Sequence, residues 1–423
     1  MSMKYLKISG YLLLIGCFIL LVFANKCNTP ESPEKTASSI SEKKINQSIS
    51  PKKDSIPTAK NISSKNVYCR DIALLIAGLK PQGNEDFQTI TQTQGWRSYK
   101  KTIDYSWEQF HNQKLLSIRE WQKKYLENIN AQTENLLYPF SGPDFIYANA
   151  FVPDAKKYFL FGLEPVGSIP DINELKSDSM YGYQQAMKTS MTALLNFSFF
   201  ITKQMKKDLN NVKINGTIPL LLFFISRSGY IVSEIKPANI DSSGTISIKE
   251  YEHKLTSKIQ FSKGVEISFY DPRNASEKKL YYFSSDISNN GLKGNPKLAK
   301  FFSALSGTIS SFIKSASYHP HKDDFSMIRS IILEKSKYII QDDSGIPYRY
   351  FDNSDWNLYF YGKYTAPIEG FHQWYQAKLL NDFPKQAEPL PFRFGYNRAS
   401  YLLIASRNSY SRTIFYNPRY SIL

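Results

Sequence analysis

The segment from residue 136 to residue 167, LLYPFSGPDFIYANAFVPDAKKYFLFGLEPVG, constrains the fold more than any other part of the chain. It reads as a strand, a Ser-Gly-Pro-Asp turn, a short helix and a second strand that ends in an acidic residue. A similar order recurs from residue 312 to residue 347. Such β-α-β units build open α/β sheets. We therefore predict the α/β fold class, with a mixed, partly parallel sheet built from two β-α-β units and an N-terminal helical segment.

The composition supports a folded body of this kind. The 423 residues are 42% hydrophobic and 15% aromatic, which supplies a large core and excludes general disorder. We expect one large α/β domain over residues 67–407, with a helical subregion at residues 67–130 and a loosely held tail at residues 408–423. Only Cys69 falls within that domain, so no disulfide framework is expected.

Residues 1–27 predict an export signal or an anchor to a membrane. Lys4 and Lys7 precede an apolar run over residues 11–24, YLLLIGCFILLVFA, in the order typical of a signal segment. The run is short for a membrane span, and its positive flank would stay in the cytoplasm while the remainder is exported.

The fate of this leader stays open between three alternatives. Residues 22–24 (VFA) suit cleavage by a signal peptidase. Residues 14–16 (LIG) before Cys17 resemble the lipobox of a bacterial lipoprotein, although apolar residues continue beyond Cys17. Cys27 lies past the apolar run, but Lys26 stands where that motif has a small residue. Cleavage, lipidation at Cys17 or Cys27, and an uncleaved anchor are therefore all retained.

Residues 28–66 predict a flexible tether. They are rich in Ser, Lys, Asn, Pro, Thr and Glu and contain almost no aromatic residue. Such a segment cannot bury enough apolar surface to offset its conformational entropy. A tether of this kind favours a domain that is held at a membrane over one that is released.

Hydrophobic periodicity predicts the elements of the body. Helices are expected at residues 67–79 and 99–130. The longer helix has an apolar stripe, with Lys114 as its one polar position, that we assign to core packing. The apolar residues of the stripe are Ile103, Trp107, Phe110, Ile118, Trp121 and Tyr125. The other predicted helices cover residues 187–200, 202–209, 219–227, 296–305, 325–335 and 371–383. The other predicted strands cover residues 230–235, 265–270, 279–284, 309–316, 338–341, 356–361 and 401–406.

Four segments resemble a bacterial family of conserved hypothetical proteins: YPFSGPDF (residues 138–145), GLEP (162–165), YFSSDIS (282–288) and QDDSGIPYRYF (341–351). The resemblance covers roughly residues 67–407. It implies that these segments belong to one domain, and it implies no particular activity.

Four acidic residues are the candidate catalytic groups. Asp144 and Glu164 flank the helix and second strand of the first unit, and Asp342 and Asp343 end the second unit. Because ligands of open α/β sheets bind beyond the carboxyl ends of the strands, these acids could converge in one cleft and share acid and base roles. The alternative is structural, with Asp144 as a helix cap and Asp342 or Asp343 in an Asx turn.

The first unit also imitates a nucleoside-binding pattern. Its acid, Glu164, follows Gly142 by 22 residues, as the acid that holds ribose hydroxyls does in dinucleotide and methyl-donor enzymes. Only one glycine is present in the turn, and an exported protein would lack a supply of such cofactors. We therefore expect no cofactor.

Two further motifs resemble known catalytic or metal-binding patterns but depart from them. His319-Pro-His321-Lys-Asp-Asp324 resembles the metal motif of metallo-β-lactamase-type hydrolases, but it lacks the last histidine, so we expect a solvent-exposed loop and no metal site. Ser141-Gly142 and Ser344-Gly345 do not form the Gly-x-Ser-x-Gly nucleophile motif.

The net charge of +16 suits an anionic partner, such as a phospholipid or an envelope polymer, and no nucleic-acid motif accompanies it. We therefore expect a membrane-tethered protein on the outer side of the cytoplasmic membrane, in the cell envelope, with a binding or structural role and no nucleic-acid partner. The alternative function is an envelope hydrolase that uses the four acids.

We expect the full chain to fractionate with membranes in the organism that makes it, because each fate that retains an anchor keeps the body at a bilayer. Mass spectrometry of the mature amino terminus would identify cleavage after residue 24, a lipid on Cys17 or Cys27, or an intact leader. Recovery of the uncleaved, unmodified chain in the cytosolic fraction would contradict export.

Overall fold

Ten strands form one mixed sheet, and its five central strands run parallel. The computed structural model describes residues 64–170, 181–182, 185, 187–192, 216–249, 260–261, 263–396 and 400–408. The strands of the large sheet are β1 (Asn135–Tyr138), β2 (Lys157–Gly162), β4 (Ile231–Ile240), β5 (Ile246–Ile248), β7 (Gly264–Tyr270), β8 (Glu277–Ser284), β9 (Ile309–Ile313), β10 (Tyr338–Gln341), β11 (Trp356–Gly362) and β12 (Tyr401–Arg407). A separate pair joins β3 (Gly167–Ser168) and β6 (Gln260–Phe261).

The described helices cover both faces of this sheet. They are α1 (Ser64–Ile76), α2 (Glu85–Thr91), α3 (Gln94–Phe110), α4 (Leu116–Tyr125), α5 (Glu127–Gln132), α6 (Phe145–Phe151), α7 (Ile218–Arg227), α8 (Asn289–Gly294), α9 (Pro296–Ala304), α10 (Ser326–Lys335) and α11 (Ala377–Asp382). Single 3₁₀ turns lie at His319–His321, Asp323–Phe325, Tyr348–Tyr350 and His372–Trp374.

The two predicted β-α-β units are confirmed. β1, α6 and β2 form the first, in which Leu136 pairs with Tyr158 in a parallel register. β9, α10 and β10 form the second, in which Ser311 pairs with Ile339. The fold is therefore α/β, with a mixed and partly parallel sheet and helices ahead of the first strand, as the sequence predicts.

The strand order locates a switch point in the sheet. The order is β11-β12-β10-β9-β1-β2-β8-β7-β4-β5, with β12, β7 and β5 antiparallel to the central strands. From β1 the chain adds β2 and β8 on one side, and β9 and β10 on the other. The central strands thus share the 3-2-1-4-5 order of doubly wound sheets, in which neighbouring loops diverge at the reversal and leave a crevice.

The helical subregion confirms the predicted core stripe but not one continuous helix. A π-helical turn at His111–Leu115 separates α3 from α4, and Leu126 separates α4 from α5. The π turn contains one more residue than an α turn, so Leu115 rather than Lys114 takes the buried position of the stripe. The chain is also helical from Ser64, three residues ahead of the predicted start of α1.

The predicted helix at residues 371–383 is wrong over its first half. A 3₁₀ turn and α11 replace it, and Gln376 lies between them. The Gln376 N–H donates to the Tyr364 hydroxyl at 3.1 Å, and its side-chain Oε1 accepts from Tyr348 N–H at 2.7 Å. Tertiary hydrogen bonds therefore displace the local helical ones.

The hairpin of β7 and β8 is confirmed, whereas β4 extends the predicted strand to Ile240. Of the two helices predicted at residues 187–209, the part after residue 192 lies outside the described residues, as does the tail beyond residue 408. The leader and residues 28–63 of the predicted tether lie outside them as well. Residues 64–66 belong to α1, so the prediction that the tether extends to residue 66 is wrong at its end.

Side chains of successive strand residues pack alternately into two hydrophobic cores, one on each face of the sheet. Tyr138 and Phe312 point into the core that also contains the helices of the amino-terminal subregion, and Leu137 and Ile313 point into the other. Because neighbouring residues of a strand face opposite sides, burial on both faces gives the continuous apolar run of β2 from Tyr158 to Phe161.

We expect Phe312→Ala to lower the free energy of unfolding by about 3–5 kcal/mol, because it leaves a cavity in a closed aromatic cluster. The Phe312 ring is fully buried, 4.9 Å from the Tyr138 ring and 5.2 Å from the Phe151 ring between centroids. Urea denaturation followed by circular dichroism would measure the change. Tyr105→Ala is the control, because that ring is 66% exposed, and it should cost no more than about 0.5 kcal/mol.

Candidate functional site

The four predicted acids all lie where parallel strands end. Asp144 follows β1, Glu164 follows β2, and Asp342 and Asp343 follow β10. Their loops belong to the carboxyl edge of the sheet, which also contains the switch point between β1 and β9. This carboxyl edge is the candidate site.

The Ser-Gly turn after β1 folds against the end of β2. The N–H groups of Ser141 and Gly142 donate to the Phe161 carbonyl at 3.0 and 3.1 Å, and Gly142 has a φ of +54°, in the region that glycine adopts most easily. The Ser141 hydroxyl accepts from the Phe161 N–H at 3.0 Å. This hydroxyl is therefore part of the turn rather than a poised nucleophile.

Glu164 has the weakest contacts of the four acids. The residue is 2% exposed, and its carboxylate packs against Gly142 and Gly162, where a Cβ at Gly142 would stand 3.3 Å from Oε2. The Tyr282 hydroxyl donates to the Glu164 carbonyl at 2.8 Å and lies 3.5 Å from Oε2. Among the described residues, no cation pairs with this carboxylate. A buried carboxylate with so few donors is costly unless something else supplies them.

Three groups hold the Asp144 carboxylate. It caps α6 by accepting from Tyr147 N–H at 3.3 Å, and its Oδ2 lies 3.0 Å from the Tyr138 hydroxyl and 3.2 Å from Lys314 Nζ. The Lys314 ammonium is fully buried and also lies 3.9 Å from the centre of the Tyr147 ring. Burial raises the pKa of Asp144, and the positive charge of Lys314 opposes that shift. The predicted cap is therefore present, within a buried ion pair that joins β1 to β9.

Asp342 closes the turn after β10. Its Oδ1 accepts from Ser344 N–H at 3.0 Å and from the Ser344 hydroxyl, and its Oδ2 accepts from Ser315 N–H at 2.8 Å. Burial raises its pKa, whereas these hydrogen bonds lower it. The predicted Asx turn is thus formed, and it ties the loop after β10 to the loop after β9.

Asp343 is buried beside its charged neighbour. Its Oδ2 accepts from the Tyr318 hydroxyl at 2.6 Å. Burial, together with the negative charge of Asp342, raises the pKa of Asp343 to about 7. The two adjacent carboxyl groups therefore differ in environment, one held by several donors and one by a single phenol.

The histidine segment is not the predicted solvent loop. Pro320 and His321 are buried, and His321 Nε2 lies 3.1 Å from the Asp343 carbonyl oxygen. The His319 ring stacks on Phe325 with centroids 4.6 Å apart. Burial lowers the pKa of both imidazoles to about 4, so packing keeps them neutral. Within the described part of the chain, no three His, Cys, Asp or Glu side chains gather as a metal site would require.

Sequence reasoning missed Lys314 and Tyr318. Lys314 lies inside the strand predicted at residues 309–316, and a charged residue at that position was the available signal. Only the fold brings it to Asp144. Tyr318 has a left-handed backbone, with a φ of 54°, and its hydroxyl reaches Asp343 from another loop. The predicted lipidation sites, Cys17 and Cys27, lie outside the described residues, and among those residues no helix has the length and apolarity to cross a bilayer.

Comparisons with protein-family models, with curated proteins and with solved structures find no match to this chain. The resemblance of the four segments therefore stays a prediction.

We expect Asp343→Asn to stabilise the protein at neutral and alkaline pH relative to wild type. A carboxyl group with a pKa raised from 3.8 to about 7 holds its proton more firmly in the folded state. Its contribution to stability is present below about pH 4 and is lost as the pH rises through 7. The free energy of unfolding of the variant should therefore exceed that of wild type by an amount that grows as the pH rises from about 4 to about 7. The difference should reach the order of a few kcal/mol and then stay constant.

Urea denaturation at several pH values would measure this difference. Asp355→Asn is the control, because that residue is exposed, and it should leave the pH dependence unchanged. A constant difference between Asp343→Asn and wild type from pH 4 to pH 8 would contradict the assignment.

Proposed function

We propose that this chain is an exported, membrane-tethered binding protein of the cell envelope, and that its α/β domain binds a vicinal diol at the carboxyl edge. The leader and the polar tether support the location. The observation that carries the binding role is the buried Glu164 carboxylate, which lies against two glycines and receives only one long hydrogen bond from the described residues.

The strand order supports this location for a ligand. Loops after β1 and β9 run to opposite faces of the sheet, and ligands of doubly wound sheets bind in the crevice that this reversal leaves. Glu164 lies one strand away from that reversal, and its carboxylate contacts the Gly142 turn. The turn and the acid are therefore adjacent in the fold, as the 22-residue spacing predicts.

A vicinal diol matches the chemistry of Glu164. A carboxylate can only accept hydrogen bonds, and two neighbouring hydroxyl groups offer two donors to its two oxygens. The absence of a Cβ at Gly142 and Gly162 keeps space beside Oε2 for the carboxylate. Either a ribose or an envelope sugar carries such a diol, and export favours the sugar because nucleoside cofactors lack a supply outside the cytoplasm.

The contacts of the other acids favour binding over hydrolysis. Asp144 is engaged by a helix cap and Lys314, and Asp342 by Ser344 and Ser315. These are the cap and the turn of the structural interpretation. The hydrolase alternative retains one supporting observation: Asp343, whose pKa is raised to about 7, lies beside Asp342. A carboxyl group with a pKa near neutrality suits a general acid or base.

We expect Glu164→Gln to weaken diol binding by about tenfold or more, because the amide lacks the negative charge that strengthens bonds from hydroxyl groups. Isothermal titration calorimetry of the full chain would test it, in a detergent without sugar or phosphate groups. Adenosine supplies the ribose diol, 2′-deoxyadenosine lacks one of the two hydroxyls, and methyl α-D-mannoside supplies a sugar diol.

Binding of adenosine or of the mannoside would assign the source of the diol, and 2′-deoxyadenosine should bind less tightly than adenosine if ribose is held. Glu277→Gln is the matched control, because it removes the same charge from an exposed site at the opposite edge. The proposal fails if neither diol saturates the protein below about 10 mM, or if Glu164→Gln binds as tightly as wild type.

A further inference from the structure

A cavity opens at the amino edge of the sheet, opposite the carboxyl edge, where the central parallel strands begin. Its volume is about 450 Å³, within the range of small-molecule sites. Residues of α4 and α5 form one wall, and the segments before β2 and β4 form the other. We call it the amino-edge pocket, and the proposed diol site makes no use of it.

Arg119 of α4 lines this pocket without a partner. Its side chain is half-buried, and among the described residues it forms no hydrogen bond and no ion pair. Burial lowers the pKa of the Arg119 guanidinium; the Tyr230 phenol opposes this shift, and the positive charge of Arg273 adds to it. A partly desolvated guanidinium beside a second cation favours the arrival of an anion.

The acidic residues near the pocket do not neutralise Arg119. Asp271 is paired with Arg273, which donates to it from Nε at 2.8 Å and from Nη2 at 2.5 Å. Glu127 and Asp154 line the pocket but are exposed to solvent. Among the described residues, no acidic side chain therefore forms an ion pair with Arg119.

The wall beside Arg119 also contains a buried acceptor that lacks a donor. Asn130 is 3% exposed, and its Nδ2 donates to Gln122 Oε1, whereas its Oδ1 has no hydrogen-bond partner among the described residues. The Ser228 hydroxyl on the facing segment likewise has none. Buried polar atoms without partners are uncommon, and together they point to a ligand with polar groups of its own.

We infer that the amino-edge pocket binds a small organic anion, with its carboxylate or phosphate group on Arg119 and a donor group, such as an ammonium or a hydroxyl, on Asn130. A guanidinium presents two parallel N–H donors to either anion, which fixes the orientation of the ligand. Ser228, whose hydroxyl has no partner among the described residues, also lines this pocket.

Isothermal titration calorimetry of the full chain, in a detergent without phosphate groups, would test this inference. The probes are inorganic phosphate, succinate and phosphoethanolamine. We expect one saturable site, tighter for phosphoethanolamine than for phosphate because its ammonium reaches Asn130. Phosphate and succinate distinguish the two anion classes.

Arg119→Gln should weaken binding of the probes by about tenfold or more. Arg119→Lys keeps the charge but not the paired N–H donors, so its affinity should lie between those of Arg119→Gln and wild type. Arg97→Gln is the charge-matched control, since Arg97 is exposed and does not line the pocket. Thermal melting would verify that each variant is folded.

The inference is overturned if none of the three probes saturates the wild-type protein below about 10 mM, or if folded Arg119→Gln binds them as wild type does. An equal loss in Arg97→Gln would also overturn it, because that result would indicate general attraction to the net charge. Loss of diol binding in Glu164→Gln leaves this pocket intact, so the two sites fail independently.

Discussion

The buried ion pair between Asp144 and Lys314 is the contact on which the carboxyl edge depends. Lys314 extends from the end of β9 and Asp144 from the turn after β1, so the pair joins two strands that are far apart in sequence at the point where the strand order reverses. Two buried charges are costly to desolvate, and they are tolerated only when other groups satisfy them. Here the Tyr138 hydroxyl, the Tyr147 N–H and the Tyr147 ring do so.

That pair fixes the start of α6 and, through it, the glycine turn that precedes it. Because Asp144 caps α6, the preceding Ser141-Gly142 turn is held between the helix and the end of β2. Glu164 packs against this turn. Asp144 therefore has a structural role and positions Glu164, whose carboxylate has few hydrogen-bond donors. The two acids look equivalent in the sequence but have different roles in the fold.

The sequence predicts what depends on local pattern. Both β-α-β units, the position of all four acids at strand ends and the burial of the aromatic stripe follow from apolar periodicity and turn residues, and the structure contains them. The π turn at residues 111–115 was not predicted. The interruption at Gln376 was not predicted either, since tertiary hydrogen bonds override helix propensity there. The sequence did not predict roles for Lys314, Tyr318 and Arg119. Their surroundings are formed by segments that are distant in the sequence and meet only in the fold.

The fold shows which of the positive charges behind the net charge of +16 are paired within the domain. From composition alone, the excess of lysine and arginine suggests attraction to an extended polyanion over the whole surface. In the described part of the chain, however, several buried or half-buried cations already have acceptors: Lys314 has Asp144, Arg227 has Asp104, and Lys278 has the Ala155 carbonyl. Arg119 differs because it faces a cavity and not a carboxylate. A single uncompensated guanidinium in a pocket selects a small anion by geometry, whereas scattered exposed lysines attract anions without selecting among them.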